Sequence, residues 1–357
     1  MHGSLVGESE IFFKGSKIGL TEGPHMYKRD GFYYLLTAEG GTEYDHAVTL
    51  ARSKEILGPY EVHPQNPILT SNGDESLVLQ KAGHASVVET TKGEWYMAHL
   101  CGRPIPGTRR CNLGRETALQ KVEWREDGWL YLQTQGNVPQ QKVTQPDLPA
   151  HSWPDLPSRL PFDSPHYASP RIKGPLIVLE DQKLILRGGE SLESNFEQAL
   201  YGRRLTSQRM EATTKMTFKP ESFQQMAGLV LYYNTFLFHY LFLSSDEKKG
   251  LCLQIHSCDD GKSVFPLGSS LVEVGQSDLY LKATLIDSGL QFSWSDDNAI
   301  YNNIGPELDA SILSDDYGSR WGFTGTFIAL SCQDLTGNQC RAEFDYLDLK
   351  TTISENE

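Results

Sequence analysis

The sequence predicts an all-β protein of two domains joined by a proline-rich connector. Three observations carry that expectation. Short apolar segments recur with turn residues between them, no amphipathic helical stretch of roughly 10–15 residues intervenes, and the prolines crowd into one interval.

Residues 5–135 supply FYYLLTA, HAVTLARS, ASVVETT, WYMAHL, TALQKVEW and WLYLQT, punctuated by KRDG, SNGD, TKGE and REDG. That spacing suits antiparallel strands rather than βαβ units, and a sandwich and a propeller fit it equally. Nine of the 18 prolines lie between Pro139 and Pro175. Proline fixes φ and removes a donor, so residues 138–175 read as a semi-rigid connector without regular elements. Trp153, Phe162 and Tyr167 are the rings expected to pin it to a surface. Residues 176–357 read as a β-sandwich of normal domain size. LIVLEDQKLILRGG has the form of a hairpin, and apolar alternation is clearest in EATTKMTF and AEFDYLDLK. No internal repeat relates the two halves, and the first domain, on this reading, covers residues 1–137.

A chain of 357 residues exceeds what one core usually holds. Its net charge of −14 argues against a nucleic-acid footprint and against binding to anionic membrane surfaces. No apolar run approaches the roughly 18 residues of a membrane span. The opening MHGSLVGESEIFF lacks the regions of a signal peptide, so a cytoplasmic protein is expected. The six cysteines, at 101, 111, 252, 258, 332 and 340, include no C-x-x-C pair, which argues against a zinc ribbon. Cys252/Cys258 and Cys332/Cys340 would suit disulfides in a secreted protein; free thiols in a cytosolic one are preferred.

One carboxylate stands out in TEGPHMYKRDGFYYLLTAEGG. Glu22 sits on a Gly-Pro corner before an aromatic strand, and Pro24 stiffens the loop that presents it. A solvated turn residue is the plain reading. A pre-positioned proton donor is the other.

The order of motifs decides between them. GLTEGPHMYKRDGFYYLLTAEGGTEYDHAVTLARS, then GPYEVHPQNPILT, GHASVVET and CNLGRETALQKVEW resemble the general-acid blade and following blades of the family 43 glycoside hydrolases, β-xylosidase branch. QMAGLVLYYN, RWGFTGTFIALSCQDLTG and AEFDYLDLK resemble the lectin-like sandwich at the C-terminus of that branch. The resemblance covers nearly the whole chain. It implies part of a five-bladed β-propeller followed by a concanavalin-like β-sandwich. It also implies inverting, exo-acting release of xylose from xylo-oligosaccharides, with side activity on α-L-arabinofuranosides.

On this resemblance Glu22 is the general acid. Inversion needs a protonated acid and an ionised base roughly 6.5–9.5 Å apart, with water between. Burial beside apolar rings would keep the acid protonated, and Tyr27, Tyr33 and Tyr34 are the local candidates. His84, in AGHAS, matches a pocket-floor histidine that in some members approaches a central metal through water. Its alternative is a polar plug on the propeller axis. Arg115, in LGRET, matches an arginine of the sugar subsite; its alternative is an ion pair with Glu116. An aromatic of YYNTFLFHY, one of Tyr232, Tyr233, Phe236 and Phe238, is expected to close the pocket, while at least two of the four read as core residues; Phe236 is the substrate-binding candidate among them. No cofactor is required, and a calcium ion at the propeller axis is the one candidate. His25 reads as structural and His46 as a strand residue without a role. Glu39, Glu43 and Asp45 read as a solvated acidic rim, and the connection from Arg103 to Cys111 as part of the pocket rim.

The family's base and pKa-tuning aspartates precede its acid, and nothing ahead of residue 22 matches them. Asp30, Asp45 and Asp74 lie outside the base motif. About 130 residues hold roughly three blades, whose open edges would invite association. The expectation is therefore a split or cleaved enzyme, in which an N-terminal propeller chain or fragment carries the first two blades, the base and the tuning aspartate, with homo-oligomerisation left open. An arabinofuranosidase and an inactive carbohydrate-binding fragment are the alternatives.

Overall fold

The computed structural model describes residues 7–171, 174–320 and 322–351. Among them there is no α-helix, only a 3-10 turn at Ala310–Ile312. The chain divides into two compact units, Met1–Arg103 with Arg115–Ser152, and Pro104–Gly114 with Trp153–Glu357.

The first unit contains β1 (Glu22–Arg29), β2 (Phe32–Glu39), β3 (Ala47–Ser53), β4 (Glu61–Val62), β5 (Leu69–Thr70), β6 (Gln80–Glu89), β7 (Trp95–Gly102), β8 (Glu116–Trp124) and β9 (Leu130–Leu132). They form two antiparallel meanders, β1-β2-β3-β4 with β5 beside β3, and β6-β7-β8-β9. Asp30-Gly31 makes the first hairpin, with φ of +47° and +79°, the conformation that an Asp-Gly pair supplies. Tyr34, Leu36, Val48 and Leu50 of one meander pack with Val87, Met97 and Val122 of the other, and Trp129 and Leu130 complete this core. Two blade-like sheets thus stand where the length suggested three. Residues 7–21 form no strand, and the chain beyond β9 runs irregularly along the sheets. Gln140 is held by Gln120 there, the Thr144 carbonyl by the Tyr96 hydroxyl, and the Asp147 amide by Glu94.

The second unit contains β10 (Tyr167–Ala168), β11 (Ile177–Glu180), β12 (Lys183–Arg187), β13 (Ala199–Arg204), β14 (Arg209–Phe218), β15 (Gln225–Asn234), β16 (Leu237–Asp246), β17 (Gly250–Asp259), β18 (Lys262–Val264), β19 (Val272–Glu273), β20 (Asp278–Ile286), β21 (Gly289–Ser295), β22 (Asn302–Asp309), β23 (Phe327–Asp334) and β24 (Arg341–Thr351). One sheet runs β10-β13-β23-β15-β16-β17-β18, with β19 on β17, and the other β11-β12-β24-β14-β20-β21-β22. Strict alternation in β14 puts Met210, Ala212, Met216 and Phe218 into the shared core with Leu229, Leu241 and Phe344. The expected hairpin is β11–β12.

The connector differs from expectation in two ways. Tyr167–Ala168 pairs with Gly202–Arg203 as an edge strand, because the residues between Pro165 and Pro170 keep their donors. Phe162 and Tyr167 do enter the core, but Trp153 is 81% exposed and buries nothing comparable. All six cysteines are free thiols, and Cys252 and Cys258 lie on one strand, β17.

Candidate active site

Two bulges build the site in the first unit. Glu22 pairs with Ala38 and His25 with Leu36, so β1 carries one extra residue at the Gly-Pro corner. Gly23 there has φ of +55°. On β6, Gly83 pairs with Leu100 and Ala85 with His99, which leaves His84 as the extra residue, at φ of +49°. Such bulges re-aim a side chain out of the sheet. Glu22 and His84 are both exposed, and the bulges bring them to one another.

A third group joins them that the sequence had left without a role. His46, just ahead of β3, is 1% exposed. Its Nδ1 lies 3.1 Å from the Lys81 carbonyl. A carbonyl only accepts, so Nδ1 carries the proton and Nε2 presents a lone pair. Burial lowers its pKa to about 4, against the opposing pull of the Lys81 carbonyl, so the imidazole is neutral near pH 7. One ligand atom each from Glu22, His46 and His84 lie within 4.8 Å of one another. Nothing in the strand-like segment DHAVTL distinguishes His46; the pairing appears only when β3 and β6 are adjacent.

Arg115 is turned inward, its side chain 6% exposed. Its Nη2 donates to the Thr42 carbonyl at 2.8 Å and lies 3.8 Å from Glu43 Oε1. The pairing with Glu116 does not form, because Glu116 takes both its bonds from Arg103, at 2.9 Å each. Arg115 is close enough for its charge to help keep His46 unprotonated. Glu43 also meets Lys81 Nζ at 3.4 Å.

The apolar wall beside Glu22 is not the one expected. A cavity of about 410 Å³ holds Glu22 with Phe12, Phe13, Leu20, Pro24 and Leu35. Tyr34 is instead a core ring that donates to the Gly128 carbonyl, Tyr27 accepts from the Val87 amide, and Tyr33 accepts from Lys28. The acidic rim also requires correction. Glu39 is fully buried and accepts from the Ser16 amide at 2.7 Å, the Ser16 hydroxyl, and the Thr21 hydroxyl at 3.0 Å. The strand continues far enough to carry it inside, where it anchors residues 16–21.

Phe236 lies in the second unit, at the β15–β16 turn, half-buried with the Arg320 guanidinium 3.5 Å over its ring. Tyr233 is in the sandwich core, and Tyr232 and Phe238 pack in a second apolar cluster. The connection from Arg103 to Cys111, read from sequence as pocket rim, folds from Pro104 onward with the second unit: Arg110 donates to Ser311 at 2.6 Å and Asp316 accepts from the Cys111 amide.

Calcium prefers six to eight oxygen donors. Two imidazoles and one carboxylate do not fit direct calcium ligation. They do fit an acid held beside two hydrogen-bonding rings.

Blade-like sheets that present a carboxylate on a stiff corner, in a chain that also carries a β-sandwich, are the arrangement that the resemblance to propeller-type glycoside hydrolases implies. Comparison with known proteins agrees. Residues 2–130 match the glycosyl hydrolases family 43 model, and residues 167–350 match the beta xylosidase C-terminal concanavalin A-like domain. The chain belongs to glycoside hydrolase family 43. It is 40% identical to a xylan 1,3-beta-xylosidase of Vibrio sp. over 97% of its length and 68% of the relative's. It is 42% identical to xylosidase/arabinosidase 43B of Humicola insolens, over 96% of its length and 66% of the relative's. The crystal structure of a xylan beta-1,4-xylosidase from Bacillus halodurans C-125 matches with a TM-score of 0.93 at 47% identity, covering 97% of this chain and 68% of that one. The chain thus spans about two thirds of each relative.

Proposed function

We propose that this chain is part of an inverting, exo-acting β-xylosidase that releases xylose from the non-reducing ends of xylo-oligosaccharides, with Glu22 as its general acid. The observation that carries the reading is the meeting of Glu22 with His84 at the two bulges, beside an apolar cavity. In a single displacement Glu22 gives its proton to the glycosidic oxygen as the bond breaks, while a base on the opposite face takes a proton from the attacking water. Arg115, fixed by Thr42 and Glu43, contributes a guanidinium edge for sugar hydroxyls. No step is routed through a metal ion.

The base belongs to sequence outside these 357 residues. The relatives compared above carry their extra third in one polypeptide, which gives a separate N-terminal partner chain no support. An arabinofuranosidase activity is the second reading, favoured by the double name of the Humicola relative. Six free thiols suit a reducing compartment, and we assign the chain to the cytoplasm. Among the described residues no helix is long and apolar enough to cross a membrane.

The test is Glu22→Gln in the catalytically complete enzyme. Turnover of xylobiose, whose xylose leaving group is poor, is expected to fall by about 10²–10⁴-fold, and that of 2,4-dinitrophenyl β-xyloside far less. Equal losses on both substrates would defeat the assignment.

A further inference from the structure

His46 has no place in the mechanism above, yet it is the most constrained group of the site. Three contacts fix its ring. Its Nδ1 is spent on the Lys81 carbonyl at 3.1 Å. A Cβ on Gly83 would stand 2.4 Å from the ring, so β6 lies directly against it. The ring of His84 meets it edge-on, 6.5 Å between centroids. Its Nε2 is fully buried and has no hydrogen-bond partner among the described residues. A buried acceptor left unmatched carries a desolvation penalty, and such atoms in folded proteins are commonly met by a bound water.

The spacing says what could meet it. Three atoms within 4.8 Å of one another share a point no farther than about 2.8 Å from each, which is hydrogen-bond distance for water. A water needs two to four polar partners to be held at a buried site, and this point has three. Glu22 is one of them. Its carboxyl sits at the edge of the sheet, and among the described residues no protein hydrogen bond fixes its rotamer; the ring of His46, by contrast, is fixed.

Resting on the assignment of Glu22 as the acid, we propose that His46 is a positioning residue for it: His46 Nε2 accepts a hydrogen bond from a water that also bonds to the Glu22 carboxyl and to His84, and this water sets where the acid points. The neutral imidazole suits the role because it can only accept at Nε2. The water donates one hydrogen to His46, keeps its second for the carboxylate or His84, and accepts from the carboxyl once Glu22 is protonated. The arrangement holds the carboxyl in either protonation state, which a proton donor used once per turnover requires. Positioning errors of about an ångström can lower a rate by roughly 100-fold.

The experiment compares His46→Phe, which keeps a ring but no lone pair, and His46→Gln, whose amide oxygen reaches the Nε2 position. Both are made in the catalytically complete enzyme, with folding checked by thermal melting. With His46→Phe, kcat on xylobiose is expected to fall roughly 10- to 100-fold. On 2,4-dinitrophenyl β-xyloside, which needs no proton, it should change less than about threefold, and KM should hold on both. His46→Gln should regain most of the loss. A merely structural role would lower both substrates together, and that result, or no loss on either, would overturn the proposal. Glu22→Gln in the same series separates the two claims. If it shows no leaving-group dependence, the acid assignment has failed; if it does and His46→Phe does not, only the positioning role has failed. Should His46→Phe not fold, a high-resolution crystal structure of the unaltered protein decides. A water within about 3 Å of all three atoms supports the proposal, and a direct Glu22–His46 bond or an ion at that point overturns it.

Discussion

Gly23 and the imidazole of His84 face each other with no room for a methyl group: a Cβ on Gly23 would stand 2.4 Å from His84 Nε2. Gly23 also has φ of +55°, which L-residues with a side chain adopt at a cost of about 1–2 kcal/mol. Gly23→Ala is therefore expected to lower stability by about that amount and to displace His84. Activity should fall further than stability explains, read as kcat at a temperature well below melting. An alanine variant with unchanged kcat would show that the close approach is not needed.

The buried carboxylate of Glu39 carries three hydrogen bonds from Ser16 and Thr21. Glu39→Ala leaves those donors without an acceptor, which should cost about 2 kcal/mol. The segment that delivers the chain to Glu22 should then open. Limited proteolysis followed by mass spectrometry is expected to find new cuts between residues 10 and 21, and xylobiose turnover should drop. Glu39→Gln should be milder, because its amide oxygen still accepts.

His63 is 2% exposed and wedged between Trp129 and Tyr131, 4.8 and 4.7 Å from their ring centres. Burial lowers its pKa to about 4, with Asp127 opposing the shift. The unfolded chain takes up that proton near the ordinary histidine value of 6.5, so the unfolded state binds more protons below it. The contribution of neutral His63 is therefore full above about pH 6.5 and is lost as pH falls toward 4. Urea unfolding across that range should show a slope that His63→Phe reduces. It should not abolish the slope, because the buried His46, His99 and His239 are lowered in the same sense.

All six cysteines are free, and burial pushes Cys101 up to about 12. A thiol reagent should therefore count six groups in the denatured, unreduced protein and react slowly with the native one. Reducing agent should leave the melting temperature unchanged. A count below six would reveal a disulfide, with Cys332 and Cys340, whose sulfurs are 3.8 Å apart, the first pair to suspect.

The all-β architecture, the hairpins and the sandwich core were legible because they rest on local rules: Asp-Gly at a turn, alternation along β14, prolines in a connector. Glu22 stands out in the sequence because its motif is contiguous. What escaped depends on register. Nothing local tells that one extra residue on β6 throws His84 out of the sheet, or that β3 then lays His46 behind it. Glu39 looked like a rim residue because AEGG resembles the start of a turn, whereas β2 runs through Glu39 itself and buries it. Tyr27, Tyr33 and Tyr34 were chosen as neighbours of Glu22 by nearness in sequence. In the fold the cavity is walled by Phe12, Phe13 and Leu20, which reach it along the irregular approach to β1.

The excursion at residues 104–114 changes the covalent plumbing of the molecule. Because it leaves the first unit after Arg103 and returns at Arg115, the backbone passes between the units three times, not once. A protease cut beside the exposed Trp153 would sever a single crossing and leave two intact. Releasing either unit would require cutting the excursion as well, or unfolding the sandwich face that holds Arg110 and Cys111. A nicked molecule should therefore still travel as one particle, so the connector can accept cleavage or insertion without parting the units.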